Sequence, residues 1–76
     1  MEKEKYLVDT LRRLIKNNLW DLYQSKMEYV VNHETKSGDN YHWIKGQQEV
    51  MGDTITLLKN VIEQNQDIIN ENEGVQ

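Results

Sequence analysis

Residues 44–69 read IKGQQEVMGDTITLLKNVIEQNQDII, and this stretch decides the fold. Written as a seven-residue repeat, one row holds Ile44, Met51, Leu58 and Asn65, and a second holds Gln48, Ile55, Ile62 and Ile69. All but Asn65 and Gln48 are aliphatic or methionine. Steps of three and four residues put both rows on one side of an α-helix, so the spacing predicts a long helix with a coiled-coil-like seam. The chain has no proline to interrupt it. Further apolar rows flank the seam: Trp43, Val50 and Leu57, then Val61 and Ile68. An arc this wide is more than one partner helix covers.

Working outward, the chain before this stretch carries a second stripe from about Lys3 to Val31. It includes Val8, Leu11, Ile15, Leu19, Leu22, Tyr29 and Val30, and is widened by Leu7, Leu14, Trp20, Tyr23 and Met27. Val8, Leu19 and Val30 recur every eleven residues, close to whole turns of a straight helix. Asn17-Asn18 is the weak point, and Ser25 with Glu28 fits a capping box for a helix restarting there. One continuous, bent first helix is the preferred reading because the stripe crosses Asn18. Between the stripes, residues 32–40 are polar and include Ser37-Gly38-Asp39-Asn40, which is turn chemistry. Asp39 or Asn40 is placed to cap the second helix, expected over about 41–70, with a frayed acidic tail at 71–76.

The expectation is therefore an all-α fold, a single helical domain over 1–76 built as an antiparallel hairpin. With the loop centred near Lys36, residue i faces roughly residue 72 − i. That register sets Trp20 near Gly52 and Met27 near Gly46, so each glycine would let the helices approach under a large side chain. It also lays Lys5, Arg12, Arg13 and Lys16 beside the acidic end, Glu63, Asp67, Glu71 and Glu73. Carboxylates at a helix C-terminus oppose its dipole, so those cations decide whether the tail holds.

Length sharpens the packing problem. A 76-residue chain has little interior, and without cysteine it has no disulfide to compensate. The wide arc and the small interior together predict a homo-oligomer, with a dimeric four-helix bundle as the simplest form and Ile44, Met51, Ile55, Leu58, Ile62 and Ile69 as its seam. A three-helix monomer, with the first helix broken near Asn17, is the competing solution.

Apolar runs reach only two or three residues, such as Tyr29-Val30-Val31, so no membrane span of about 20 residues is expected. Met1-Glu2-Lys3-Glu4-Lys5 has no apolar core behind it, so neither is a secretory signal. A cytoplasmic location follows as the expectation. The net charge of −4 argues against a general nucleic-acid binder. Asn and Gln total 14, Lys outnumbers Arg 7 to 2, and Ala is absent, a pattern of AT-rich coding.

Four groups of residues are candidates for function. His33 and His42 bracket the loop with Glu34 and Asp39 between them, but their spacing matches no metal motif, so no metal or cofactor is expected. Arg12, Arg13 and Lys16 lie near Trp20 and Tyr23, a combination suited to an anion or a nucleotide. Asp9, three and four residues before the arginines, offers local ion pairing instead. Tyr41, His42 and Trp43 open the second helix opposite Tyr29 and Val30. This cluster serves either as a clamp on the loop or as a partner-binding hot spot. Asn65 is either a register-setting polar residue in the seam or the place where the seam frays. No Ser-His-Asp set, glycine-rich phosphate loop or His-Glu-x-x-His pattern is present, and no carboxylate falls at an apolar position where burial would raise its pKa. Enzymatic activity is not expected.

Tyr41-x-x-Ile44-x-Gly46, followed by an apolar helical stripe and an acidic end, resembles the small helical-hairpin proteins of tailed phages over about half the chain. The resemblance implies a small protein that binds a host or defence component, and it transfers no site residue. The expected function is a non-enzymatic protein-interaction module with Trp20, Tyr23, Tyr29, Tyr41 and Trp43 as anchors. The alternatives are a ligand, nucleotide or nucleic-acid binder between protomers and a structural virion subunit.

Overall fold

The long stripe builds one uninterrupted helix. The computed structural model describes residues 2–74: α1 (Glu2–Leu14), a π-helical turn (Ile15–Leu19), α2 (Trp20–Asn32) and α3 (Asp39–Gly74). The first three form one continuous arm, and α3 returns antiparallel along it. Lys26 pairs with Gln47 near the loop and Lys5 with Glu73 at the far end. The protein is an all-α helical hairpin.

The arm does not break at Asn17-Asn18; it widens. The Trp20 N–H donates to the Ile15 carbonyl, five residues back, in place of the usual four. The reason lies in the stripe. Ile15, Leu19, Tyr23 and Met27 are separated by three successive steps of four, and each step overshoots a full turn by about 40°. In an unbroken α-helix Met27 would drift well off the seam. A π turn absorbs one extra residue, so Val8 stays buried and Leu11, Ile15, Leu19, Tyr23, Met27 and Val30 all stay at least half-buried along one side. The three-helix alternative is thereby replaced by a continuous two-armed hairpin. If the extra residue is absorbed in this way, deleting Asn18 restores ordinary α geometry without moving the seam. The expected result is unchanged helix content and a melting temperature equal to or above the parent's, read by circular dichroism; a clear drop would contradict this account of the turn.

The loop is residues 33–38, shorter than the sequence suggested. The His33 N–H donates to the Tyr29 carbonyl at 3.0 Å and closes α2. Gly38, at φ +95°, occupies the capping position expected of Asp39 or Asn40, and its carbonyl accepts the His42 N–H at 3.1 Å. Asn40 instead donates its side-chain N–H to the Tyr29 hydroxyl at 3.0 Å. α3 therefore starts at Asp39, before the expected Tyr41.

α3 extends through the first part of the expected tail, as far as Gly74. Lys5 Nζ lies 2.7 Å from Glu73 Oε1, so a cation from the other arm faces the end of α3. The hydrogen bond to Glu73, and then its charge, raise the Lys5 ammonium above its ordinary pKa. This contribution is complete below the ordinary lysine value and is lost as pH rises through the raised one. Val75 and Gln76, the rest of the expected tail, lie outside the described residues.

The core is a single file. Val8, Ile62 and Ile69 are buried together, with Leu11 and Ile15 packed on them, while Ile55 and Tyr41 are buried nearer the loop. The register differs from 72 − i by about a turn. Tyr23, not Trp20, stands over Gly52, and a Cβ there would lie 3.0 Å from the Tyr23 ring. Gly46 has nothing within 4 Å, so no large side chain packs over it and it sits on an exposed face. The two glycines therefore respond differently to substitution. Gly46→Ala gains about 1 kcal/mol of helix propensity. Gly52→Ala falls short of that gain because the Tyr23 ring must move. Parallel thermal melts test the order.

Candidate interaction surfaces

The rows on α3 divide between intramolecular and outward roles. Ile55, Ile62 and Ile69, expected in an oligomer seam, are covered by the arm of the same protomer. Ile44, Met51 and Leu58 are half-buried beside them. The seam of residues 44–69 is thus the interior of one hairpin, a correction that follows from the antiparallel arm lying on it. The flanking row remains outside: Trp43, Val50 and Leu57 are 66, 65 and 63% exposed, and Ile68 continues the row, also exposed.

The arm contributes to the same face. At about 100° per residue, Leu7 and Leu14 stand on the flank of α1 opposite Lys5 and Arg12. By the same rotation the Trp43–Ile68 row stands opposite Lys59 and Gln66 on α3. Arg12 Nη2 donates to Gln66 Oε1 at 3.3 Å, so the charged flanks adjoin. The apolar flanks therefore adjoin on the other side, with exposed Leu22 of α2 between them and the loop. One face of the hairpin carries an apolar strip that follows α3 from Trp43 to Ile68, about 38 Å of a molecule 58 Å long.

At the loop, the aromatic cluster separates into two parts. Tyr29, His33 and Tyr41 stack in sequence, with centroids 4.6 and 5.7 Å apart, and His42 meets Tyr41 edge-on at 5.4 Å. Tyr41 is only 5% exposed. These rings clamp the loop, which leaves Trp43 as the outward-facing ring of the group. Both histidines are engaged in this stack, and among the described residues no group of three or more potential metal ligands converges. Asn65 takes neither expected role. Its Nδ2 donates to the Val61 carbonyl of its own helix at 2.8 Å, and the helix continues past it.

The opposite, charged face holds a groove of about 390 Å³ lined by Arg12, Ile15, Lys16, Trp20, Lys59 and Ile62. It runs along the π turn. Lys59 Nζ lies 5.2 Å from the Trp20 ring centroid, and Tyr23 borders the same indole at 5.9 Å. Of the basic patch read from the sequence, Arg12 and Lys16 reach this groove and Arg13 does not. Asp9 is within ion-pair distance of neither arginine; among the described residues the ion pair within 4 Å is Lys5–Glu73. Lys59 was missed from the sequence. The signal was its place seven residues after Gly52, on the rotation that also carries Gln66.

Among the described residues no helix is long and apolar enough to cross a membrane. No protein-family model, curated protein or solved structure matches the chain.

Proposed function

We propose that the chain is a non-enzymatic interaction module that works as a homo-oligomer, with a dimeric four-helix bundle as the simplest assembly. One observation carries this reading: the hairpin exposes too much surface for its mass. Its accessible area is 5886 Å² at 9.1 kDa. A compact monomer of that mass exposes about 4,900 Å². The excess of about 1,000 Å² is close to the roughly 800 Å² that each partner buries in a stable interface. The radius of gyration, 16.8 Å, tells the same story against about 11 Å for a compact domain of this length. Both measures reflect a core one residue deep, and the strip of Leu7, Leu14, Leu22, Val50, Leu57 and Ile68 is where a second layer fits.

Pairing two such strips about a two-fold axis buries each against itself. Trp43, at the loop end of the strip, is then the anchor best placed for a further protein partner, since exposed tryptophan is favoured at binding hot spots. The phage setting implied by the sequence resemblance supplies a class of partner, a host or defence protein. Sedimentation equilibrium at micromolar concentration tests the assembly, and a purely monomeric hairpin would end this reading.

A further inference from the structure

The groove beside the π turn has a chemistry the apolar face lacks. The chain has 9 lysines and arginines and 13 carboxylate side chains, yet three of the cations and none of the carboxylates line this groove. Among the described residues none of the three has a carboxylate within 4 Å, although Asp9 and Glu73 border Arg12 on its other side. Arg12 makes its hydrogen bond to the neutral amide of Gln66, and Lys59 rests over the face of Trp20. Lys16 stands on the π turn itself. Such turns occur frequently at functional sites, because the widened backbone opens space that an α-helix closes.

The wall residues also restrict the ligand. Ile15, Ile62 and the Trp20 indole supply an apolar surface. Every other lining side chain, Arg12, Lys16 and Lys59, is a pure donor, since guanidinium and ammonium groups accept no hydrogen bond. A nucleobase or sugar would bring donors that find no acceptor among these side chains. A head group that only accepts, carried on an apolar body, leaves nothing unmatched. The volume of about 390 Å³ falls within the range of about 300–1,000 Å³ typical of small-ligand pockets.

We infer that this groove binds an amphipathic organic anion, a carboxylate or a similar acceptor-only head group on a hydrocarbon body. The head lies among Arg12, Lys16 and Lys59, and the body lies on Ile15, Ile62 and Trp20. The site is separate from the strip proposed for assembly and stands on the other face, so a failure of one reading leaves the other intact.

The test uses the full chain carrying Trp43→Phe, which leaves Trp20 as its one indole. Decanoate, below its micelle-forming concentration, is titrated against Trp20 fluorescence. The expected result is a saturable change with one site per chain that weakens as salt is raised. Lys16→Gln and Lys59→Gln, both at exposed positions, each weaken binding by about tenfold or more. Lys45→Gln, which removes an exposed lysine outside the groove, leaves the affinity unchanged. Decyltrimethylammonium, with the same tail and opposite charge, produces no saturable change, and inorganic phosphate binds more weakly than decanoate. Any of four results overturns the proposal: no saturation with decanoate, equal binding of the cationic amphiphile, lysine variants with parental affinity, or adenosine monophosphate binding more tightly than decanoate.

Discussion

Replacing Val50 and Leu57 together with glutamine separates the proposed assembly into hairpins, raising its dissociation constant by at least about 100-fold. Burying an aliphatic side chain contributes about 1.5–3 kcal/mol when fully transferred from water. Val50 and Leu57 start 65 and 63% exposed, so about 1–2 kcal/mol each is available to a partner. In a two-fold assembly each substitution counts on both protomers, and about 1.4 kcal/mol is a factor of ten. Glutamine keeps good helix propensity, and neither side chain belongs to the buried core, so the helices remain. Sedimentation equilibrium gives the dissociation constant and circular dichroism checks the fold. Assembly that survives the pair unchanged would show that this row is not the interface.

Ile62→Ala lowers folding stability by about 2–4 kcal/mol. Ile62 is 8% exposed and shares a cluster with Val8 and Ile69, against which Leu11 and Ile15 of the other arm pack. A core one residue deep has no second layer to collapse into the space left behind, so the cavity term adds to the lost transfer energy. A domain of 76 residues has a total stability of about 4–11 kcal/mol, of which this is a large share. Urea denaturation at one fixed protein concentration measures it, because association shifts the apparent midpoint. A change below about 1 kcal/mol would mean that the cluster is not the centre of the hairpin.

How much was legible from the sequence varies by element. α3 was the plainest, since its stripe repeats over 26 residues and nothing in it breaks a helix. The loop was marked by its turn residues. The π turn left a trace, the three steps of four from Ile15 to Met27, but that trace reads equally as a wide stripe until burial shows one narrow seam. The role of Gly52 was legible in kind, a close approach under an aromatic ring. Which ring was not, because a shift of about one turn exchanges Trp20 for Tyr23.

The candidate surfaces were less legible than the fold. The aromatics near the loop were legible as a group, yet Tyr29 and Tyr41 close the clamp while Trp43 points outward, a division set by a rotation of two residues on one helix. The basic patch was legible only in part. Arg12 and Lys16 reach the groove, Arg13 does not, and Lys59 joins from 43 residues beyond Lys16.

The sequence by itself determined that this protein is a hairpin of two long helical arms, because periodicity, turn residues and the absence of proline are local properties that each helix satisfies alone. It also determined that more apolar surface exists than one neighbour can cover. The tertiary structure alone decided which rows are spent inside and which remain outside. That choice depends on the register and relative rotation of the arms, and those are set by contacts between residues far apart in the chain: Val8 with Ile62 and Ile69, Tyr23 over Gly52, and Lys5 with Glu73.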